Sequence, residues 1–252
     1  MQIKRNYGWR RQLPDHRDFK ITRPTAGIVL PPLINMEPGC PAVYDQTTLG
    51  SCTANGIAGG LEYDQIKQGI VPSWTPSRLF IYWNERNEEG TVDQDAGADI
   101  RDGIKAVNSL GAPPETEWPY DVNQFAVKPP PQVFADALQH PAVKYQAVSQ
   151  DINQLRAALA AGFPVVFGFS VYESFESDAV AESGILPMPA PGESQVGGHC
   201  VLCVGYDDSK QMVKVRNSWG ADWGQGGYFW MPYAYISDPN LADDFWQIEA
   251  VK

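Results

Sequence analysis

The chain has 252 residues, 43% of them hydrophobic, enough to bury one large core or two smaller ones. Its formal net charge of −11, with Lys and Arg scattered, argues against a nucleic-acid-binding surface. No apolar run approaches the roughly 18 residues needed to span a membrane. No apolar stretch of the signal-peptide kind follows Met1–Arg5, so no signal peptide is expected and the compartment stays open. Four cysteines in a chain this long do not make a disulfide scaffold.

From Met1 to about Asn35 there is little periodicity. Tyr7-Gly8-Trp9 and Leu13-Pro14-Asp15 predict extended or turn structure, and Ile28 to Leu33, with two consecutive prolines, predicts an extended strap. The folded body is expected to begin near Cys40-Pro41. The central stretch follows, Asp45-Gln46-Thr47-Thr48-Leu49-Gly50-Ser51-Cys52-Thr53. Ser51 is a plausible cap for a helix over 52–68, whose Ala54, Ile57, Ala58 and Leu61 share one face. Gly56, Gly59 and Gly60 are costly inside a helix, which makes sense if neighbouring backbone comes close. Gly69 ends it.

A second helix is predicted from Pro76, capped by Thr75, and a third from about Asp99 to Leu110, terminated by Gly111. Trp118-Pro119-Tyr120 and Pro129-Pro130-Pro131 read as loops. Beyond a composition shift near 125–145 the pattern changes. One helix, Asp151 to Ala161, precedes strands at Val165–Tyr172, His199–Tyr206, Met212–Asn217 and Tyr228–Pro232, with a hairpin turn at Asp207–Lys210.

Cys52 would lie in the first turn of its helix, where unpaired N–H groups and the helix dipole favour an anion and so lower a thiol's pKa. A free cysteine is as often a small buried hydrophobe, so the partners decide. Of the three histidines, His16 lies in the irregular N-terminal stretch and His140 beside a loop, while His199 opens a strand after Gly197-Gly198. The hairpin brings Asn217 beside that strand. Its side-chain oxygen can accept the imidazole N–H, and Trp219 can shield the bond. Structural roles for all three, as strand His, turn Asn and core Trp, fit the same positions.

Together, Gln-x5-Cys opening a helix, Gly-His opening an apolar strand that runs into Val204-Gly205-Tyr206, and Asn-Ser-Trp-Gly-x-x-Trp-Gly-x-x-Gly-Tyr at 217–228 resemble the papain family of cysteine peptidases. The His and Asn lie roughly 150 residues after Cys52, as in that family. The resemblance covers about residues 40 to 235 and is tightest at the last motif. It implies an α+β, two-domain fold, with a helical domain carrying Cys52 and an antiparallel β-barrel-like domain carrying His199 and Asn217, facing across a cleft. The expected division is 1–36 N-terminal extension, 37–140 helical domain and 141–252 β domain.

The resemblance further implies Cys52 as nucleophile, His199 as general base and acid, Asn217 as its orienter, and Gln46 with the Cys52 N–H as the oxyanion hole. It implies a thioester intermediate, no metal and no organic cofactor. Gly97 and Ala98 correspond to the cleft wall that pairs with extended polypeptide, and Trp219 to the cover of the His–Asn bond. Gly168, Gly198 and Cys200 correspond to the main specificity pocket, which small residues would leave roomy and apolar. Leu49 replaces the family's usual cysteine and Thr53 its aromatic residue, which suggests a bacterial-type branch. Cys40, Cys200 and Cys203 are expected as buried free thiols.

No nucleic-acid, membrane or subunit partner is expected; the chain should act as a monomer on extended polypeptides. Two alternatives share the motif set: acyl transfer to an amine through the same thioester, as in peptide ligases or transglutaminase-like enzymes, and an inactive papain-fold binding module. Residues 1–30 exceed what precedes the oxyanion-hole glutamine in mature family members. Tyr7, Trp9, Leu13 and Phe19 want burial, so this segment either lies over the cleft as an inhibitor of zymogen type or straps the back of the domains.

Overall fold

A computed structural model describes residues 5–23, 27–140 and 142–251. In chain order the elements are β1 Lys20–Ile21, β2 Leu33–Asn35, α1 Cys52–Lys67, α2 Arg78–Glu89, α3 Ile100–Leu110, α4 Pro131–Ala137, β3 Ala142–Val148, α5 Ile152–Ala160, β4 Val165–Tyr172, α6 Asp178–Ser183, β5 Gln195–Asp207, β6 Met212–Arg216, β7 Tyr228–Pro232, α7 Tyr233–Ser237 and β8 Ala242–Val251. Helices dominate the first half and an eight-stranded sheet the second. The sheet runs β1-β3-β8-β4-β5-β6-β7, with β2 added to β5, and every pairing except β1 with β3 is antiparallel. The fold is α+β, with two domains.

The helix carrying Cys52 is central: every residue of α1 from Cys52 to Gln65 is buried. It lies against β5, β8 and β4 on one side and α2 and α3 on the other. Two of its glycines permit this. A Cβ on Gly56 would stand 3.1 Å from the Cys200 sulfur, and one on Gly59 would stand 2.8 Å from an Arg216 guanidinium nitrogen. The close neighbours are thus mainly side chains, where backbone was expected. The strand β4 is buried along nearly its whole length, which explains its unbroken apolar run. Behind it Phe167 stacks on Phe245 with ring centres 5.3 Å apart.

Several local expectations move. The second helix starts at Arg78, with Ser77 accepting from the Phe80 N–H at 3.2 Å. Thr75 and Pro76 stay extended because Ser77 N–H donates to Pro113 O and Glu115 N–H to Thr75 O. Ser51 precedes α1 without capping it, since its hydroxyl is engaged with the Tyr120 hydroxyl and the Asn55 amide. Pro131 opens α4 where a loop was expected; proline suits a first helical turn. The strands β3 and β8 are additions, and β5 is longer than expected.

The folded body does not begin at Cys40. Tyr7 to Trp9 already pack against the body, with Trp9 7% exposed, whereas Leu13 and Phe19, expected to want burial, are 84% and 76% exposed. Its return path is pinned by β1 on β3, and by Arg23, whose backbone N–H and carbonyl meet the Gln154 side chain. All four cysteines are free. No described helix is long and apolar enough to cross a membrane.

The loop after α2, which carries Gly97 and Ala98, hangs on one buried guanidinium. Arg86 donates to the carbonyls of Tyr82, Val92, Gln94 and Phe125. Removing it strands buried acceptors, each worth about 1–3 kcal/mol. Arg86→Ala should therefore cost about 3 kcal/mol in urea unfolding. A loss below about 1 kcal/mol would show that the loop holds without it.

Candidate active site

Cys52 is the first residue of α1, and His199 lies on β5. Asn217 immediately follows β6, whose register with β5 pairs Arg216 with Leu202. The hairpin therefore delivers Asn217 to His199, and the imidazole Nε2 stands 2.8 Å from the Asn217 Oδ1. The Ser218 backbone N–H donates to that same Oδ1, also at 2.8 Å. An atom that accepts from a backbone N–H is the amide oxygen, so His199 Nε2 must be the donor. This leaves Nδ1 as the basic nitrogen, and Nδ1 has no hydrogen-bond partner among the described residues.

Aromatic rings close off this pair. Trp219 lies with its ring centre 5.1 Å from the imidazole, Phe169 at 5.8 Å and Tyr7 at 5.9 Å. Burial is the main reason His199 is held down to about 4, with the Asn217 bond opposing it. Burial also pushes the Cys52 thiol up to about 11, against hydrogen bonds from the backbone of Cys200, Gly8 and Thr53. The helix end expected to be open is covered: Cys52 is fully buried, and burial favours the neutral form of both Cys52 and His199. The helix terminus is overridden by loss of water, because the N-terminal segment covers the sulfur.

That segment threads the site residue by residue. Arg5 pairs with Asp45 at 2.6 Å and lies over Trp219. The Gln46 side-chain amide donates to Asn6 O at 3.3 Å and to Leu49 O at 2.9 Å, while its own oxygen accepts from Ser218. Gln46 is thus oriented with N–H toward a carbonyl of the segment. Tyr7 packs over His199 and Trp219 and donates to Glu176. Gly8 lies against Gly50 and Gly97 so closely that a Cβ on Gly8 would strike the Gly50 carbonyl and one on Gly97 the Gly8 carbonyl. Gly97 also has φ +69°, which favours glycine.

Ala98 pairs in parallel with Trp9: Ala98 N–H donates to Gly8 O at 2.7 Å and Arg10 N–H to Ala98 O at 3.3 Å. On the opposite wall Trp9 N–H donates to Gly198 O at 3.0 Å. The Trp9 ring fills the space left by Gly168 and Gly198, where any Cβ would strike it. Cys200 faces elsewhere, with its sulfur against Gly56 of α1. Nor is the pocket wholly apolar. The Trp9 indole N–H donates to a carboxylate oxygen of Asp244 at 2.9 Å.

Sequence reasoning missed Asp244, and also Asp95, which accepts from Gly50 N–H, the Tyr82 hydroxyl and the Asn6 amide and so holds the loop before Cys52. It missed Glu85, fully buried behind Thr53, the neighbour of Cys52, and raised to about 8 by that burial. None of these carboxylates sits in a local motif that marks it.

A buried Cys at a helix start, a strand His oriented by Asn, and a Gln amide beside them, set between a helical and a β domain, define a papain-like cysteine peptidase site. The comparisons agree. The family model for papain family cysteine proteases matches residues 37–242, and the chain belongs to that family. It is 44% identical to xylellain, a cysteine protease from Xylella fastidiosa, with a TM-score of 0.92 and coverage of 100% of this chain and 98% of that one. It is 41% identical to an uncharacterized peptidase C1-like protein of Acanthamoeba polyphaga mimivirus, over 99% of this chain and 88% of the relative. Digestive procathepsin L 3 of Tenebrio molitor shares the fold at 17% identity and TM-score 0.73, covering 98% of this chain and 77% of that one. The chain is thus a cysteine peptidase, a hydrolase whose family acts on polypeptides.

A histidine whose folded pKa lies below its unfolded value stabilises the fold above pH 6.5, and that contribution is lost as pH falls through about 4. Nitrogen NMR of His199 in the intact chain should show the neutral, Nε2-protonated ring from pH 8 to pH 5. A protonated ring at pH 6 would mean that the thiolate–imidazolium pair already exists under the covering segment.

Proposed function

We propose that the chain is an endopeptidase that cleaves extended polypeptides through a thioester and is restrained by its own N-terminal segment. The observation that carries the chemistry is the tautomer at His199, with Nε2 donating to Asn217 and Nδ1 left as base. In the open site Nδ1 takes the Cys52 proton, and the thiolate attacks the substrate carbonyl carbon. The Gln46 amide and the Cys52 backbone N–H stabilise the oxyanion. His199 then gives its proton to the leaving amine, which departs with the C-terminal fragment. A water activated by Nδ1 hydrolyses the thioester and restores the thiol. Gly97 and Ala98 receive the substrate backbone, Gly168 and Gly198 form the walls of the side-chain pocket, and Trp219 shields the His–Asn bond. The division into 1–36, 37–140 and 141–252, and action as a monomer, belong to the same reading.

The position of residues 5–10 supports restraint. Backbone from Gly8, an N–H, is what meets the sulfur, while the carbonyl beside Gln46 belongs to Asn6. The segment uses substrate-like contacts without presenting one peptide bond to both groups. Arg10, set between Glu89 and Asp99, anchors it on the helical domain. Transfer to an amine shares every step to the thioester; hydrolysis is the reading adopted, and adding a nucleophilic amine to the assay separates the two by product.

Cys52→Ala should abolish cleavage and labelling by an epoxide thiol inhibitor while leaving the melting curve in place; residual cleavage near the wild-type rate would move the nucleophile elsewhere. Tyr7→Ala with Trp9→Ala in the full chain should raise kcat/KM on a small peptide about tenfold or more, which corresponds to roughly 1.4 kcal/mol of released restraint. A folded double variant no faster than the parent would make the segment a structural strap.

A further inference from the structure

The loop from Asp45 to Ser51 carries Gln46 near one end and runs into Cys52 at the other. A polar network grips it from the helical side. Arg78 of α2 lies between the rings of Tyr44 and Tyr120, 4.8 and 4.1 Å from their centres. Its Nε and Nη2 donate to the Glu115 carboxylate at 2.8 and 2.7 Å. Its Nη1 donates to Asp45 O at 3.3 Å and to Asn55 Oδ1 at 3.2 Å. Asn55 in turn donates through Nδ2 to Ser51 O at 2.9 Å and to the Ser51 hydroxyl at 3.1 Å.

The network ends on one oxygen. The Tyr120 hydroxyl stands 3.0 Å from Gln46 O and 2.5 Å from the Ser51 hydroxyl. A carbonyl only accepts, so Tyr120 gives its single proton to Gln46 O, and Ser51 donates to Tyr120. Burial pushes the Tyr120 phenol up to about 12, against the Ser51 bond and the Arg78 charge, so that proton is in place near pH 7. The donors therefore run from Asn55 to Ser51 to Tyr120 to Gln46. Ser51 O also accepts the Asn55 backbone N–H at 3.1 Å. Ser51 O and the Cys52 N–H belong to one planar peptide, so fixing the direction of the carbonyl fixes that of the N–H.

We propose that Tyr120 is a positioning residue for the oxyanion hole, its hydroxyl joining Gln46 to Ser51 and thereby setting the Gln46 amide and the Cys52 N–H at one fixed separation. The proposal rests on the reading above of those two groups as the oxyanion donors. Such stabilisation is geometric: donors must stand about 3 Å from where the charge develops, and a displacement of about 1 Å can cost about 100-fold. Ser218 holds the Gln46 side-chain oxygen at 2.6 Å, but that bond comes from the β domain and does not relate Gln46 to Cys52. The Tyr120 hydroxyl does relate them, because Gln46 and Ser51 both bind it.

The test compares variants of the full chain, with and without Tyr7→Ala and Trp9→Ala, in whichever background cleaves faster. Tyr120→Phe keeps the ring over Arg78 and removes the bridging oxygen. On a small peptide kcat should fall about tenfold or more with KM within about twofold. Alkylation of Cys52 by iodoacetamide, followed at that residue by mass spectrometry, should keep its rate within about twofold, because displacement of iodide from a saturated carbon develops no oxyanion. A general loss of the site moves both readouts. Ser51→Ala breaks the bridge from its other end and should reproduce the pattern, so the outcome does not hang on the folding of one variant. Gln46→Ala should lower kcat about 100-fold, and adding Tyr120→Phe to it should cost less than about threefold. Parental kcat in a folded Tyr120→Phe or Ser51→Ala enzyme, a parallel fall in alkylation, or an undiminished loss in the Gln46→Ala background overturns the role of Tyr120. A Gln46→Ala enzyme as fast as its parent overturns the oxyanion-hole reading instead. Absence of all cleavage, with Cys52 unlabelled by the epoxide inhibitor, overturns the peptidase reading itself.

Discussion

The close approach of α1 to β5 is the constraint on which the site depends. Cys52 and His199 belong to different kinds of element, α1 and β5, and the seam between helix and strand is what brings those elements together. Gly56 and Gly59 make the seam possible, because the Cys200 sulfur and the Arg216 guanidinium occupy the space of their missing side chains. Arg216 in turn donates to Ala42 O and lies over Tyr44, which ties the seam to the loop that leads into Gln46. A helix glycine costs about 1 kcal/mol in propensity, and here that cost is offset by packing of the catalytic seam.

Burial governs the charge that both groups can carry. A thiol and an imidazole that are both fully buried change character when water is removed. Burial drives the thiol up and the imidazole down, so covering the pair favours the neutral form of both. Residues 5–10 contribute to that burial: the Trp9 ring fills the space beside Gly168 and Gly198, and Tyr7 packs over His199. Their hold is distributed over an ion pair at Arg5, rings at Tyr7 and Trp9, and backbone bonds at Gly8, Trp9 and Arg10, which allows strong retention without a covalent link.

How much was legible in the sequence follows from the range of the signals. The helix at Cys52, the strand of His199, the hairpin to Asn217 and the run to Tyr228 are written in local periodicity, turn residues and a dense motif, and the hairpin brings His199 and Asn217 together as expected. Helix boundaries moved where a distant backbone competed, as at Thr75 and Pro76, held extended by residues 113–115. The strand β8 went unread because its buried Trp246 and Gln247 are neighbours, which breaks the alternation that marks a half-buried strand.

The amino-acid sequence alone determined the fold class and the cysteine peptidase family, since those rest on residue identity and short-range pattern, and it singled out Cys52, His199, Asn217 and Gln46 as candidates. It left open whether the N-terminal segment lies in the cleft or behind the domains, because an irregular segment with scattered aromatics satisfies either. The tertiary structure decided that point, along with the full burial of Cys52 and His199 and the carboxylate at the foot of the Trp9 pocket. Each of these is set by burial and by contacts between residues far apart in the chain, as between Trp9 and Asp244, and no local pattern encodes which distant groups will share a space from which water is excluded.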